Sequence, residues 1–147
     1  MSTWTAQTTV KGRPEDVLDI LTDPAACGRW APIDFEIEGL DGPRLESGSR
    51  ARVVGRIAGQ RVGFDVDVHV AGPDRLELTA SGPVELDVLY ALEPVCCGSR
   101  VVAQVGVRSG RGLTGRLIAS ATGALLAGGA LDHAVSRIAR EVELVAA

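Results

Sequence analysis

The chain has 147 residues, of which 46% are hydrophobic and 23% are charged, a composition typical of one folded domain spanning residues 1–147. Its formal net charge is −4, and the 15 basic and 19 acidic residues are spread along the sequence without a basic run. Nucleic acid is therefore excluded as an expected partner, because proteins that bind phosphate backbones cluster their lysines and arginines.

The sequence predicts no membrane insertion. Residues 1–4 show no basic region followed by an apolar run, so no signal peptide is expected. The longest uncharged apolar stretch, residues 117–131, is 15 residues long. A membrane span needs about 18 or more such residues, so none is expected.

The three cysteines predict neither a metal site nor a disulfide. Cys96 and Cys97 are adjacent, and a disulfide between neighbours is strained. Cys27 stands apart, and the sequence has no Cys-x-x-Cys pair or Cys/His cluster. We therefore expect free thiols, a cytoplasmic setting and no metal or other cofactor.

The first 32 residues predict a strand followed by two short helices. Alternation over residues 3–10 indicates a half-buried strand. Pro14 suits the first position of a helix, and the acids at positions 15 and 16 complement the helix dipole. Asp23 and Pro24 end this helix or begin a second short one, and Trp30 closes the unit.

Six further strands are predicted between residues 33 and 107. Alternating apolar side chains mark residues 33–38, 49–57, 61–70, 76–80, 86–92 and 101–107. Turn sequences rich in glycine and proline separate several of them. Short turns between strands of this length predict an antiparallel meander.

The C-terminal part predicts one long helix from residue 113 to about residue 144. Its apolar residues recur in a single stripe: Leu117, Ile118, Ala121, Leu125, Leu131, Val135, Ile138 and Val142. Strands grouped apart from helices imply an α+β fold with a seven-stranded antiparallel sheet. This helix is the one predicted element long enough to cover the apolar face of that sheet.

Four segments of the sequence are similar to those of a known superfamily. They are the opening strand and helix up to Pro24, the sequence Arg29-Trp30-Ala31-Pro32, the hairpin around residues 90–101, and the helical segment 131–143. Together they resemble the START-like, or SRPBCC, superfamily, which includes polyketide cyclases and lipid-transfer domains. The resemblance covers almost the whole chain. It implies a helix-grip fold, in which a curved sheet wraps around a long C-terminal helix and a ligand cavity lies between them. It implies no particular catalytic residue, because the superfamily shares no catalytic signature.

No catalytic arrangement is visible in the sequence. His69 falls on the polar face of its strand and His133 falls off the apolar stripe, so both are expected to be exposed. No Ser/His/Asp set, Cys/His pair or inward pair of carboxylates is predicted. Tyr90 falls on an apolar face, where its hydroxyl either orients a ligand or belongs to an ordinary core tyrosine.

The composition predicts an unfilled volume between sheet and helix. Gly123, Gly128 and Gly129 lie in the helical segment, and the chain has only two Trp, one Tyr and two Phe to fill a wide sheet. We expect a pocket of about 300–1,000 Å³, with Trp30 near one end. Its predicted ligand-binding residues are Trp30, Phe35, Ala51, Val53, Phe64, Val66, Val88, Tyr90, Leu117, Ile118, Ala121 and Leu125.

These features predict a protein that binds or transports an apolar small molecule, such as a lipid or a polyketide-like aromatic, rather than an enzyme. The alternative is a polyketide cyclase/dehydrase that folds a reactive chain and uses Tyr90 or a water for proton transfer. A third hypothesis is a non-catalytic interaction domain that binds a partner through its sheet edge or long helix.

Overall fold

The computed structural model describes residues 2–108 and 112–146, which hold seven strands and four helices. The strands are β1 (Ser2–Val10), β2 (Phe35–Leu40), β3 (Arg50–Ile57), β4 (Gln60–Ala71), β5 (Arg75–Ser81), β6 (Glu85–Val95) and β7 (Gly98–Val107). The helices are α1 (Pro14–Thr22), α2 (Pro24–Trp30), α3 (Gly112–Ala127) and α4 (Ala130–Ala146).

All seven strands form one antiparallel sheet in the order β1-β7-β6-β5-β4-β3-β2. The meander from β2 to β7 is completed by β1, which pairs with β7. Side-chain alternation decides which face of the sheet is buried, and in β4 it buries Val62, Phe64, Val66 and Val68. The predicted α+β helix-grip fold, with a curved sheet and two short helices after the first strand, is confirmed.

Local residues define where the two short helices begin, and an ion pair attaches α2 to α4. Pro14 is the first residue of α1, and the Asp23 carboxylate accepts a hydrogen bond of 3.1 Å from the Ala25 amide at the start of α2. Arg29 Nε donates to Glu141 Oε1 over 3.0 Å, which ties α2 to α4. These contacts hold the last residue of α2, Trp30, against the concave face of the sheet.

The C-terminal helical segment is divided in two, whereas the sequence predicts one continuous helix. The first helix, α3, ends at Ala127, and α4 begins at Ala130. Between them Gly129 has φ 97°, in the left-handed region that glycine adopts without a steric penalty. Because a continuous helix needs a negative φ at every residue, this glycine ends one helix and allows the next to begin.

The two C-terminal helices differ in how well the sequence predicts their buried faces. In α4 the predicted stripe is buried, with Leu131, Val135, Ile138 and Val142 at most 2% exposed. In α3 the buried side chains are Ile118, Thr122 and Leu126, while Leu117 and Leu125 are 54% and 42% exposed. The buried face of α3 is therefore shifted by one residue from the predicted stripe.

The outer face of the sheet carries cross-strand ion pairs. Between β3 and β4, Arg50 Nε lies 3.3 Å from Asp67 Oδ1, and Arg52 Nη1 lies 3.1 Å from Asp65 Oδ1. The two residues of each pair stand directly opposite one another in the register. Exposed pairs of this kind contribute about 0–1 kcal/mol each, so the outer face adds little to the free energy of unfolding.

Candidate functional site

An apolar cavity lies between the concave face of the sheet and the helices α2 and α3. Its volume is about 150 Å³, which is smaller than the predicted range. Five leucines contribute to its wall, four of them outside the helix that the sequence pattern places over the sheet. They are Leu45, Leu76, Leu78, Leu86 and Leu126.

Eight of the twelve predicted residues lie on the cavity wall: Trp30, Phe35, Ala51, Val53, Phe64, Val66, Val88 and Tyr90. The four predicted helix residues do not. Leu117 and Leu125 are exposed, Ile118 is fully buried away from the wall, and Ala121 is half-buried. The helix contributes Leu126 instead, because the buried face of α3 is turned by one residue.

Sequence reasoning missed several wall residues. Ala80 and Leu86 lie on the concave face by the same side-chain alternation as their predicted neighbours, so the strand pattern could have identified them. Cys27 also lies on the wall, and it is buried together with Ala26 and Trp30 on α2. The spacing of these three residues along one short helix is the signal that could have found Cys27.

Two aromatic rings form the rigid part of the wall. Trp30 is 5% exposed and Tyr90 is 1% exposed. Their ring centroids are 5.2 Å apart at an interplanar angle of 77°, an edge-to-face contact. The indole N–H of Trp30 donates to the Ile20 carbonyl over 3.2 Å, which fixes the orientation of the ring.

The wall offers a ligand no hydrogen-bonding atom from the residues that the structure describes; its exposed surface is entirely apolar. The Trp30 N–H is already bonded to Ile20, and the Cys27 thiol donates to the Leu21 carbonyl over 3.4 Å. The Tyr90 hydroxyl contributes no exposed surface to the space. The arrangement therefore suits an uncharged molecule held by dispersion and the hydrophobic effect.

Burial also suppresses ionisation at the two titratable groups of the wall. Desolvation, with a smaller contribution from Asp23, raises the pKa of the Cys27 thiol to about 12. Desolvation, reinforced by Cys27, raises the pKa of the Tyr90 hydroxyl well above its ordinary value. At neutral pH both groups stay protonated, and neither is activated as a nucleophile or a general base.

These shifts predict a loss of stability in alkali. The Cys27 thiol ionises near pH 9 in the unfolded protein but only near pH 12 in the folded protein. Its contribution to the free energy of unfolding is therefore fully present below pH 9. It is then lost as the pH rises from 9 to 12, by at most about 4 kcal/mol. Cys27→Ala should flatten the fall in urea-unfolding free energy over this range. Cys96→Ser, at an exposed thiol, should leave the profile unchanged. Parallel profiles for wild type and Cys27→Ala would contradict the assignment.

The cavity reaches the surface beside β2. Ile33, Phe35 and Ile37 are only half-buried there, although all three line the cavity. An open groove of about 530 Å³ lies outside, between α2 and β2, and Phe35 and Ile37 belong to its wall too. These two side chains therefore separate the interior space from the groove.

Neither histidine is near the cavity. His69 Nε2 lies 2.9 Å from Thr79 Oγ1 at an exposed position, and His133 is exposed on α4. Within residues 2–108 and 112–146, no three His, Cys, Asp or Glu side chains are grouped so that they could hold a metal ion. In the same ranges, no helix has the length and apolar character needed to cross a membrane.

The fold is shared with solved structures of low sequence identity. A protein from Thermus thermophilus matches with a TM-score of 0.75 and 17% identity, over 99% of this chain and 100% of that one. A START superfamily protein from Mycobacterium smegmatis gives 0.68 and 17%, over 97% and 98% of the two chains. DynU16, from the dynemicin biosynthetic locus, gives 0.63 and 21%, over 97% of this chain and 48% of that one.

No family model matches the chain, and no curated protein matches it significantly. These three structures show the architecture alone, since their sequence identities to this chain are 21% or lower. The chain therefore has the START-like, or SRPBCC-type, helix-grip fold, with an apolar cavity at the position where sheet and helices meet.

Proposed function

We propose that this protein binds or carries an apolar small molecule in the cavity between sheet and helices. The observation that carries the proposal is the wholly apolar wall around a volume of about 150 Å³. Small-molecule sites are typically concave and mainly apolar, and a few polar groups usually set specificity. Here the polar groups are absent from the described wall, which supports retention of a ligand without chemistry.

A polyketide cyclase/dehydrase is the second candidate, and the match to DynU16 from the dynemicin biosynthetic locus favours it. Such an enzyme needs a group that exchanges a proton with the bound chain. Tyr90 is the residue that the sequence suggests for this step, but its hydroxyl contributes no exposed surface to the cavity. The raised pKa of Tyr90 further disfavours loss of its proton near neutral pH. Both observations favour the carrier over the cyclase.

The direct test is native mass spectrometry of the protein purified from its own host. We expect the folded protein to retain an added mass that is released as an uncharged organic molecule on denaturation. Tyr90→Phe should retain the same mass with an affinity within about twofold of wild type, because the hydroxyl contributes no exposed surface to the cavity. Recovery of a chemically converted product that depends on the Tyr90 hydroxyl would instead establish the cyclase.

A further inference from the structure

The size of the cavity limits what it can hold. Sites for drug-sized ligands enclose about 300–1,000 Å³. The cavity here encloses about 150 Å³. An apolar cavity of about 150 Å³ engineered into another protein binds benzene or xenon. A single ring therefore fills this space, whereas a long acyl chain or a fused multi-ring skeleton exceeds it.

The shape of the wall is held by packed side chains. Ala51 and Ala80 leave depth on the sheet side, and Leu126 closes the space from α3. The edge-to-face pair of Trp30 and Tyr90 bounds it with rings whose tilt is set by packing and by the indole hydrogen bond. On this side, enlarging the cavity would require displacement of these buried rings or of Leu126.

The chemistry of the wall limits the ligand as strongly as its size does. The lining contains no Asp, Glu, Lys, Arg or His among the described residues, so a charged group would lose its hydration without a partner. A ligand hydroxyl inside the cavity would also lose its hydrogen bonds to water, since the exposed wall is apolar. The cavity therefore disfavours carboxylates strongly and phenols to a lesser degree.

We infer, on the basis of the proposed function, that the ligand class is an uncharged single-ring hydrocarbon or a closely similar molecule whose ring occupies the cavity. This class is narrower than the general proposal and excludes long-chain lipids and fused polyketide skeletons as occupants.

The test is a panel of defined probes added to the purified protein: toluene, phenol, benzoate, phenanthrene and myristate. Binding is followed by thermal shift and by NMR of the Ala51 and Ala80 methyl groups. Toluene should bind saturably and shift both methyl signals. Phenol should bind at least about fivefold more weakly, because its hydroxyl is left without a partner. Benzoate, phenanthrene and myristate should show no saturable binding at the methyl groups.

The outcomes separate this inference from the proposed function. Binding of phenanthrene or myristate as tight as that of toluene would overturn the single-ring inference and leave a carrier for larger apolar molecules. Phenol or benzoate binding as tight as that of toluene would overturn the inference about the apolar wall. Absence of binding by all five probes, together with no co-purifying molecule, would overturn both the inference and the proposed function.

Discussion

Ala80→Leu is expected to lower the affinity for an apolar ligand at least tenfold. Ala80 is 7% exposed and lies on the cavity wall, so an isobutyl group at this position projects into a space of about 150 Å³. Affinity should be measured with toluene by NMR and, for the molecule retained from the host, by native mass spectrometry. The change replaces the ligand by a side chain of the protein itself, so it acts on binding without removing any contact of the fold.

The stability of Ala80→Leu should change little. Filling a cavity stabilises proteins by about 0.5–2 kcal/mol, whereas overpacking costs about 1–3 kcal/mol, and the two effects oppose each other here. Ala124→Leu is the matched control, because Ala124 is exposed on α3 and away from the wall. Ala51→Leu tests the same space from β3 if Ala80→Leu folds poorly. Wild-type affinity in both folded cavity variants would place the ligand elsewhere.

Trp30→Ala is expected to lower the free energy of unfolding by about 3–5 kcal/mol. Trp30 is 5% exposed, and the change removes its hydrogen bond to Ile20 and its edge contact with Tyr90. The loss is a large part of the roughly 5–15 kcal/mol that stabilises an ordinary domain. Urea unfolding measures it directly. Trp30→Phe, which keeps an aromatic ring but not the N–H donor, should lose only about 1–2 kcal/mol.

Trp4→Ala is the matched control for this prediction. Trp4 is half-buried on the edge strand β1, and its ring faces the position where a side chain of Gly123 would lie. The expected loss is smaller, because a half-buried side chain already keeps part of its surface in water when folded. Equal losses for Trp4→Ala and Trp30→Ala would show that Trp30 does not anchor the cavity wall.

The strands and their inward faces were predictable because each strand buries one face. In β4 a strict alternation over residues 62–69 leaves one choice of buried face, and in β6 the acids Glu85 and Asp87 mark the outer face although Leu89 is apolar. Phe64, Val66, Val88 and Tyr90 could therefore be placed on the concave side from the sequence. The same holds for α4, whose charged residues mark its outer face. Where one face is polar and the other is apolar, the pattern determines the orientation.

Helix α3 was less predictable because it is apolar on more than one side. The stripe through Leu117, Ala121 and Leu125 is the more apolar choice, whereas the buried stripe contains Thr122 at its centre. Thr122 Oγ1 donates to the Ile118 carbonyl over 2.8 Å, so its hydroxyl is satisfied within the helix and its burial costs little. Local hydrogen bonding of this kind is invisible in an apolar pattern.

The cavity volume depends on tertiary packing, which alternation does not encode. The lining residue types indicate an apolar space, but its extent depends on how far Leu76, Leu86 and Leu126 reach into it. The separation of α3 from α4 likewise depends on the left-handed backbone of Gly129. A glycine within an apolar segment can either allow a helix to pack closely against its neighbour or end the helix in a turn. The packing of the neighbouring helices decides between the two.

The arginine–carboxylate pairs on the outer face favour the native alignment of β3 with β4. If β4 slid by two residues along β3, the same faces would stay buried, but neither native pair would survive and only one of the two arginines would stand opposite an aspartate. In one direction Arg50 would stand opposite His69, and in the other Arg52 would stand opposite Gly63. The pairs thus penalise misaligned hairpins during folding, although they deepen the native free-energy minimum very little.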